Sequence, residues 1–411
     1  MNTLAHVESC SVFVPSPQPG AGVFASSYYT RPSGDDLVSL HWLITRSDTA
    51  DVAYTRFSDD NGRTWGEPIA QPCHFADARG TGRRHPRGGY VEPATGRYVD
   101  IWTEGVLPSD NPLEGMRQWK LHYSVSADGG KTQLVHEQII HEGPQYDAVH
   151  HLPGVTAGCN CVMMGDLGQR PFTRSDGTIL VPVQSSPAGP DGMYCNPGAG
   201  FTYTDCLLLM GRWRADGGLR WQASQRIVGD PARTTRGMIE PTIAELADGR
   251  ILMVMRGSND ARPQLPGHRW RALSADGGQT WSKPEPWTYD DGLAFFSPSS
   301  CSQLIPCQDG RLLWMGNICR DNPAGNSPRY PIVLCEVDRG TGKVIRQSQT
   351  VIDDRREGES PRLTLSNFYV RQDRRTGDLL LHMTRFFAHH PADASQTDWT
   401  ADAMLYRIAL L

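Results

Sequence analysis

The sequence has no uninterrupted apolar stretch of the roughly 20 residues needed to span a bilayer. Its first residues, Met1 to Cys10, carry neither the basic cluster nor the apolar run that directs export. The chain is therefore expected to be soluble and without a membrane partner: cytoplasmic as it stands, periplasmic or secreted where a signal peptide has been removed. Positive charge is not in excess either. The balance of 40 Lys and Arg against 45 Asp and Glu leaves a net charge of −5, which disfavours wholesale nucleic-acid binding and makes any basic site a local one. Ten cysteines in 411 residues are too few for a disulfide scaffold, and most are expected as small buried hydrophobes. Cys159-Asn160-Cys161 has no second pair or suitably spaced histidine to complete a zinc site, and His150-His151 and His389-His390 lack a third ligand. No metal and no other cofactor is expected. No segment sustains a 3.6-residue apolar period, so helix should be scarce.

Turn formers and large aromatics are abundant: 42 Gly, 30 Pro, 11 Trp and 13 Tyr, a composition suited to many short strands. One turn recurs. Ser274-Ala-Asp276-Gly-Gly278-Gln-Thr280-Trp281 matches Ser58-Asp-Asp60-Asn-Gly62-Arg-Thr64-Trp65 at every position of S-x-D-x-G-x-T-W. Worn copies stand at Ser126–Thr132, where Gln133 replaces the Trp, at Arg214–Trp221, and as a remnant at Val337–Gly342. The chemistry is that of a tight turn: Asp caps backbone N–H groups, Gly supplies positive φ, and Trp plugs the turn from beneath. Such turns are structural, and repetition dictates architecture.

A second repeat lies in hairpins whose turns carry Gly34, Gly96, Gly177, Gly249, Gly310 and Gly377. Their spacings are 62, 81, 72, 61 and 67 residues, and the head and tail of the chain together supply one further unit of the same size. This predicts an all-β, six-bladed β-propeller of four-stranded antiparallel blades, one domain over residues 1–411, closed by an N-terminal strand near Ser9–Pro15. The insertions Gly105–Met116, Pro187–Thr204 and Asp260–His268 should overhang one face.

In a propeller, segments about eight residues before and after each hairpin glycine gather at one end of the central funnel. That places Ser26, Arg87, Arg170, Glu240, Ser302 and Tyr369 there, with Trp42, Glu104, Gln184, Arg256, Asn317 and Arg385. Glu240 and Arg256 become near cross-strand partners. Arg87, Arg170, Arg329 and Arg385 have no carboxylates matched to them in the sequence, and several cations in one pocket of an acidic protein call for an anionic ligand such as a carboxylate.

These residues resemble the sialidase (neuraminidase) superfamily, and the similarity runs through nearly the whole chain. The turn repeat is that family's Asp-box. Glu240-Pro-Thr-Ile-Ala-Glu-Leu-Ala-Asp-Gly-Arg-Ile-Leu-Met-Val-Met-Arg256 is similar to its fourth-blade segment, Gly165–Pro182 to its third, and Ser297–Asn317 with Arg329 to its fifth. The resemblance implies that Glu240 polarises a tyrosine nucleophile, that Arg256 and Arg329 bind a substrate carboxylate, and that Asp48 or Asp51 is the acid/base. It also has gaps. The family's first-blade Arg-Ile-Pro is absent, His85-Pro86 stands where Asn-Pro is common, and Leu365-Ser366-Asn367-Phe368 occupies the place of Tyr-Ser-Asp-Leu, leaving Tyr369 as the nearest substitute.

Three functions remain open. An exo-acting sialidase-type hydrolase would use Arg256, Arg329, Tyr369, Glu240 and Asp48 or Asp51 on a terminal acidic sugar. A lyase or hydrolase acting on terminal uronic-acid units would use an arginine to neutralise the uronate and His85 or Tyr369 as the base; Arg84 and Arg87 beside His85 disfavour its protonation. A glycan-binding propeller without catalysis would use the same ring, including Gln184 and Asn317, for recognition alone.

Overall fold

Six antiparallel sheets follow one another along the chain, each containing one of the glycine hairpins. The computed structural model describes residues 3–391 and 397–411. Blade one pairs Gly22–Tyr29, Leu37–Ile44, Val52–Ser58 and Ile69–Gln71 in that order; blade four pairs Ile239–Glu245, Ile251–Arg256, Arg269–Ser274 and Glu285–Pro286; blade five pairs Gln303–Pro306, Leu312–Asn317, Ile332–Val337 and Thr350–Asp353. The six turn glycines all have φ between 67° and 86°, the left-handed region that a Cβ disfavours.

Blades two and three depart from the four-strand expectation. Blade two gains a fifth strand, His74–Asp77, paired with the long strand Gly80–Val91. In blade three the first strand is broken into Val162–Met163 and Phe172–Thr173, which both pair with Ile179–Ser185. The residues between them leave the sheet, and this break shapes the site below. Blade six is Tyr369–Gln372, Leu379–Thr384 and Ala403–Leu410, completed by Ala5–Val14 with a register running from Ala5↔Leu410 to Val14↔Ala403. The N-terminal closing strand thus starts earlier than Ser9. Pairing it removes the edge that Ala403–Leu410 would otherwise expose.

The complete box turns carry one hydrogen-bond pattern. In the copy at Ser274, the serine Oγ donates to Asp276 Oδ1 at 2.8 Å and accepts from Gly278 N at 2.8 Å, while Thr280 N and Oγ1 donate to the carboxylate at 2.9 and 2.5 Å. The turns at Ser58 and Ser126 repeat it. The Trp plugs differ: Trp221 is buried, whereas Trp65 and Trp281 are only half-covered.

The core lies between blades rather than within them. Side chains on one sheet face interdigitate with the next, as Trp287 does edge-on with Trp314 at 5.3 Å between blades four and five. The second strand of blade four, Ile251–Arg256, is buried along its whole length. Helix is confined to short turns such as Pro112–Glu114 and Gly115–Gln118, and among the described residues no helix is long and apolar enough to cross a membrane.

Candidate functional site

The segments that enter first strands and leave second strands meet around a cavity of about 380 Å³ at one end of the funnel. Two of the three expected overhanging insertions reach it, through Pro112, Leu113 and Met116 and through Phe201 and Thr202. Its walls differ in character. Blades six and one contribute Phe24, Trp42, Phe386, Phe387 and Trp399; opposite them stand Arg236, Arg256 and Arg329, with Arg87 from blade two.

Glu240 is set by a bulge. The register of blade four slips between Ile239 and Thr242, Glu240 adopts φ 45°, and its backbone N–H donates to Gln184 Oε1 at 2.6 Å. Left-handed backbone at non-glycine residues is concentrated here: of seven such residues described, Asp48, Glu240, Asn367 and Phe387 all line the cavity. The close packing extends to Gly165, where a Cβ would come within 2.9 Å of Glu240 Cγ.

Arg256 is fully engaged. Its Nη1 lies 2.6 Å from Glu240 Oε2, its Nε donates to Ser299 Oγ at 2.7 Å, and its Nη2 to Asn326 Oδ1 at 3.3 Å. Burial alone would raise the Glu240 carboxyl, but the Arg256 charge and hydrogen bond, helped by Arg236 and Arg329, hold it below the usual range. Arg329 donates to Ser299 O, Arg236 to Thr202 Oγ1, and Arg87 to Met164 O and Pro86 O. Among the described residues none of these three has a carboxylate within 4.0 Å. Burial, then repulsion from Arg256, lowers Arg236 and Arg329 to about 10, so both stay cationic at neutral pH.

Asp166 stands in the break of blade three, 4% exposed, its Oδ1 accepting from Leu167 N at 2.6 Å. It faces Glu240 and the Cys301 thiol, and the three ligand atoms lie within 4.8 Å of one another. Burial, then the negative charge of Glu240, raises the Asp166 carboxyl to about 7. Two carboxylates and a thiol are the one group among the described residues with metal-ligand spacing. Its Glu240 oxygen is already taken by Arg256, and the surrounding guanidinium groups oppose a further cation. His85 lines the cavity with its ring 4.9 Å from Trp119; burial, then Arg87 and Arg83, keep it well below the usual histidine range and hence neutral.

Of the residues expected from the sequence, the cavity brings together Glu240, Arg256, Arg329, Arg87, Gln184, His85 and Asp48. The others lie elsewhere. Asp51 accepts from Thr45 N and Oγ1, both at 2.9 Å, and sits 3.8 Å from Arg83. Tyr369 is buried, its ring 4.6 Å from Tyr28, and is not among the residues that line the cavity. Arg170 lies over the same two rings and donates to the carbonyls of Arg87 and Gly89. Arg385 is consumed by Asp353 and Glu359, and Asn317 ties Pro331 O to Leu365 O. A fixed offset from a turn fails because side chains alternate between sheet faces, and each bulge shifts that alternation. Arg236, Asp166 and Asn326 were missed because they precede or leave the regular strands.

A six-bladed β-propeller with a basic funnel mouth is the class this fold and site define. The chain belongs to the BNR repeat-like domain family, whose sequence model matches residues 154–368. Its structure is similar to that of a protein of unknown function from Dyadobacter fermentans, at 15% identity and TM-score 0.63 over 99% of this chain and 100% of that one. It is also similar to the K499G mutant of the NanB sialidase from Streptococcus pneumoniae, at 10% identity and TM-score 0.58 over 100% and 71%. An α-L-arabinanase from Penicillium chrysogenum, complexed with arabinobiose, matches at 13% identity and TM-score 0.54 over 99% and 98%. At these identities the likeness is one of fold. No curated protein sequence matches the chain.

Proposed function

We propose that this chain is an exo-acting glycoside hydrolase that removes a terminal carboxylate-bearing sugar from a glycan, with residues 1–411 acting as one domain. The observation that carries this reading is the set of guanidinium groups without a carboxylate partner, buried Arg236 and half-buried Arg87 and Arg329, around the ionised Glu240. A buried cation without a partner is costly, and a ligand carboxylate held in two-point fashion removes that cost. Arg236 and Arg329 hold the substrate carboxylate, and Arg256 orients Glu240. Glycoside hydrolysis uses two carboxyl groups, one ionised and one able to give a proton. Glu240 is the ionised member; Asp48 at the exposed rim and Asp166 at the floor are the carboxyls that can complete the pair.

His85 favours a second reading. A neutral imidazole in the wall of an arginine-rich cavity suits removal of the proton beside a uronate carboxyl, which gives elimination instead of hydrolysis. Mass spectrometry of products from sialosides and uronate-terminated oligosaccharides separates the two. Release of the free acidic sugar, abolished by Glu240→Gln, supports hydrolysis; an unsaturated product lighter by one water and dependent on His85 supports elimination. Intact substrates throughout would overturn both.

A further inference from the structure

Resting on the reading of the cavity as a hydrolase site, we infer that Asp166 and Glu240 are its catalytic carboxyl pair, and that the substrate is a hexuronide rather than a sugar with its carboxylate on the anomeric carbon. The pair comes from two neighbouring blades. Asp166 is delivered by the break between Val162–Met163 and Phe172–Thr173, and Glu240 by the bulge after Ile239. Both line the cavity, and one oxygen of each lies no more than 4.8 Å from the other, an upper bound that leaves room for the spacing of about 5 Å between carboxyl groups used where one carboxylate attacks the sugar directly. An intervening water acting as nucleophile needs a wider gap.

The surroundings divide the roles. Glu240 faces Arg256 at 2.6 Å, with Arg236 and Arg329 beyond, and is the anion. Asp166 faces Glu240, Cys301 and Arg87, and burial, then the Glu240 charge, raises its carboxyl to about 7, where it can hold and give up a proton. In the first step a Glu240 oxygen forms a bond to the anomeric carbon as the bond to the leaving oxygen breaks, and that oxygen takes the Asp166 proton. The products are an alcohol and a glycosyl ester of Glu240. In the second step water attacks the same carbon and gives a proton to the Asp166 carboxylate, and Glu240 leaves as a carboxylate. The anomeric configuration is retained.

The sugar class follows from the nucleophile. No tyrosine is among the described residues lining the cavity, and Tyr369 is buried against Tyr28. A carboxylate attacking an anomeric carbon that itself bears a carboxylate meets like charge at the reacting centre, and a neutral phenol would avoid this. In a hexuronide the carboxylate is on C5, across the ring oxygen, where Arg236 and Arg329 can hold it while Glu240 attacks C1.

The test uses 4-nitrophenyl and methyl glycosides of both anomers of glucuronic and galacturonic acid, beside 4-nitrophenyl sialoside. Proton NMR of the first-formed sugar should show retention, and added methanol should give a methyl glycoside of the same configuration. Asp166→Asn, with a melting temperature no lower than that of the wild type, should slow the methyl glycoside by roughly 100- to 10,000-fold and the 4-nitrophenyl glycoside much less, because nitrophenolate leaves without a proton. A 2-deoxy-2-fluoro uronosyl fluoride should leave a mass adduct on the peptide carrying Glu240. Inversion, an Asp166→Asn enzyme of full activity on both glycosides, or an adduct on another residue would each overturn the pair. Cleavage of the sialoside alone would overturn the sugar class while leaving the hydrolase reading intact; cleavage of nothing would sink that reading as well.

Discussion

The Glu240 carboxylate and the Arg256 guanidinium meet at 2.6 Å across a strand bulge, both almost fully buried. Arg256 stands opposite Ile239, one residue before Glu240, and the bulge turns Glu240 toward it and into the cavity. Removing one partner of such a pair strands the other charge away from water. Arg256→Ala should cost about 3–5 kcal/mol of stability and all turnover. Glu240→Gln, which keeps shape and a hydrogen-bond acceptor, should abolish turnover at a smaller stability cost. Chemical denaturation of the two variants beside the wild type checks the difference.

The carboxyls of Asp166 and Glu240 have opposite linkage to pH. The folded-state value of Asp166, raised to about 7, lies above that of a free aspartate. Its contribution to stability is therefore full below the unfolded value and is lost as pH rises through about 7. Glu240 is lowered, so its contribution is present above the unfolded value and lost in acid. Asp166→Asn should melt higher than the wild type at about pH 8, with the gap closing toward about pH 5. The activity of the wild type should fall on the basic side near 7, and this limb should vanish from the residual activity of the variant.

In the proposed site Arg236 and Arg329 act on binding. Each charge-assisted hydrogen bond to a carboxylate is worth about 1.5–3 kcal/mol, so alanine at either position should raise KM roughly 10- to 150-fold with a smaller change in kcat. Steady-state kinetics at low and high salt distinguish this from misfolding, because the loss should persist in a site shielded from bulk ions.

The architecture was legible because turn chemistry is local. Asp60, Asp128 and Asp276 satisfy donors within four residues, so the box turns show in the sequence without any knowledge of the sheet. The hairpin glycines mark the blades for the same reason. The site was legible only where the backbone stayed regular. Glu240 and Arg256 flank a recognisable hairpin, whereas Asp166 lies where blade three abandons its ladder and Arg236 lies in the loop before blade four. Arg385 shows the opposite failure: its carboxylate partners, Asp353 at the end of blade five's last strand and Glu359 in the segment after it, come from a neighbouring blade that no spacing rule places beside it.

Ring closure by Ala5–Val14 gives a further prediction. Deleting residues 1–14 exposes the edge of Ala403–Leu410 and should yield a protein that melts earlier and aggregates, as followed by light scattering during heating. The box turn at Asp276 is remote from the cavity. Asp276→Ala should cost about 1–2 kcal/mol through its lost bonds to Ser274 and Thr280, with kcat/KM unchanged.

The most direct test of the account is kcat/KM for a matched pair of substrates, a 4-nitrophenyl hexuronide and the neutral hexoside with the same aglycone and configuration. The uncompensated arginines predict a preference of at least about 100-fold for the acidic sugar, reduced toward unity in the Arg236→Ala, Arg329→Ala double variant. Equal rates on the two substrates, or a preference untouched by the double variant, would contradict it.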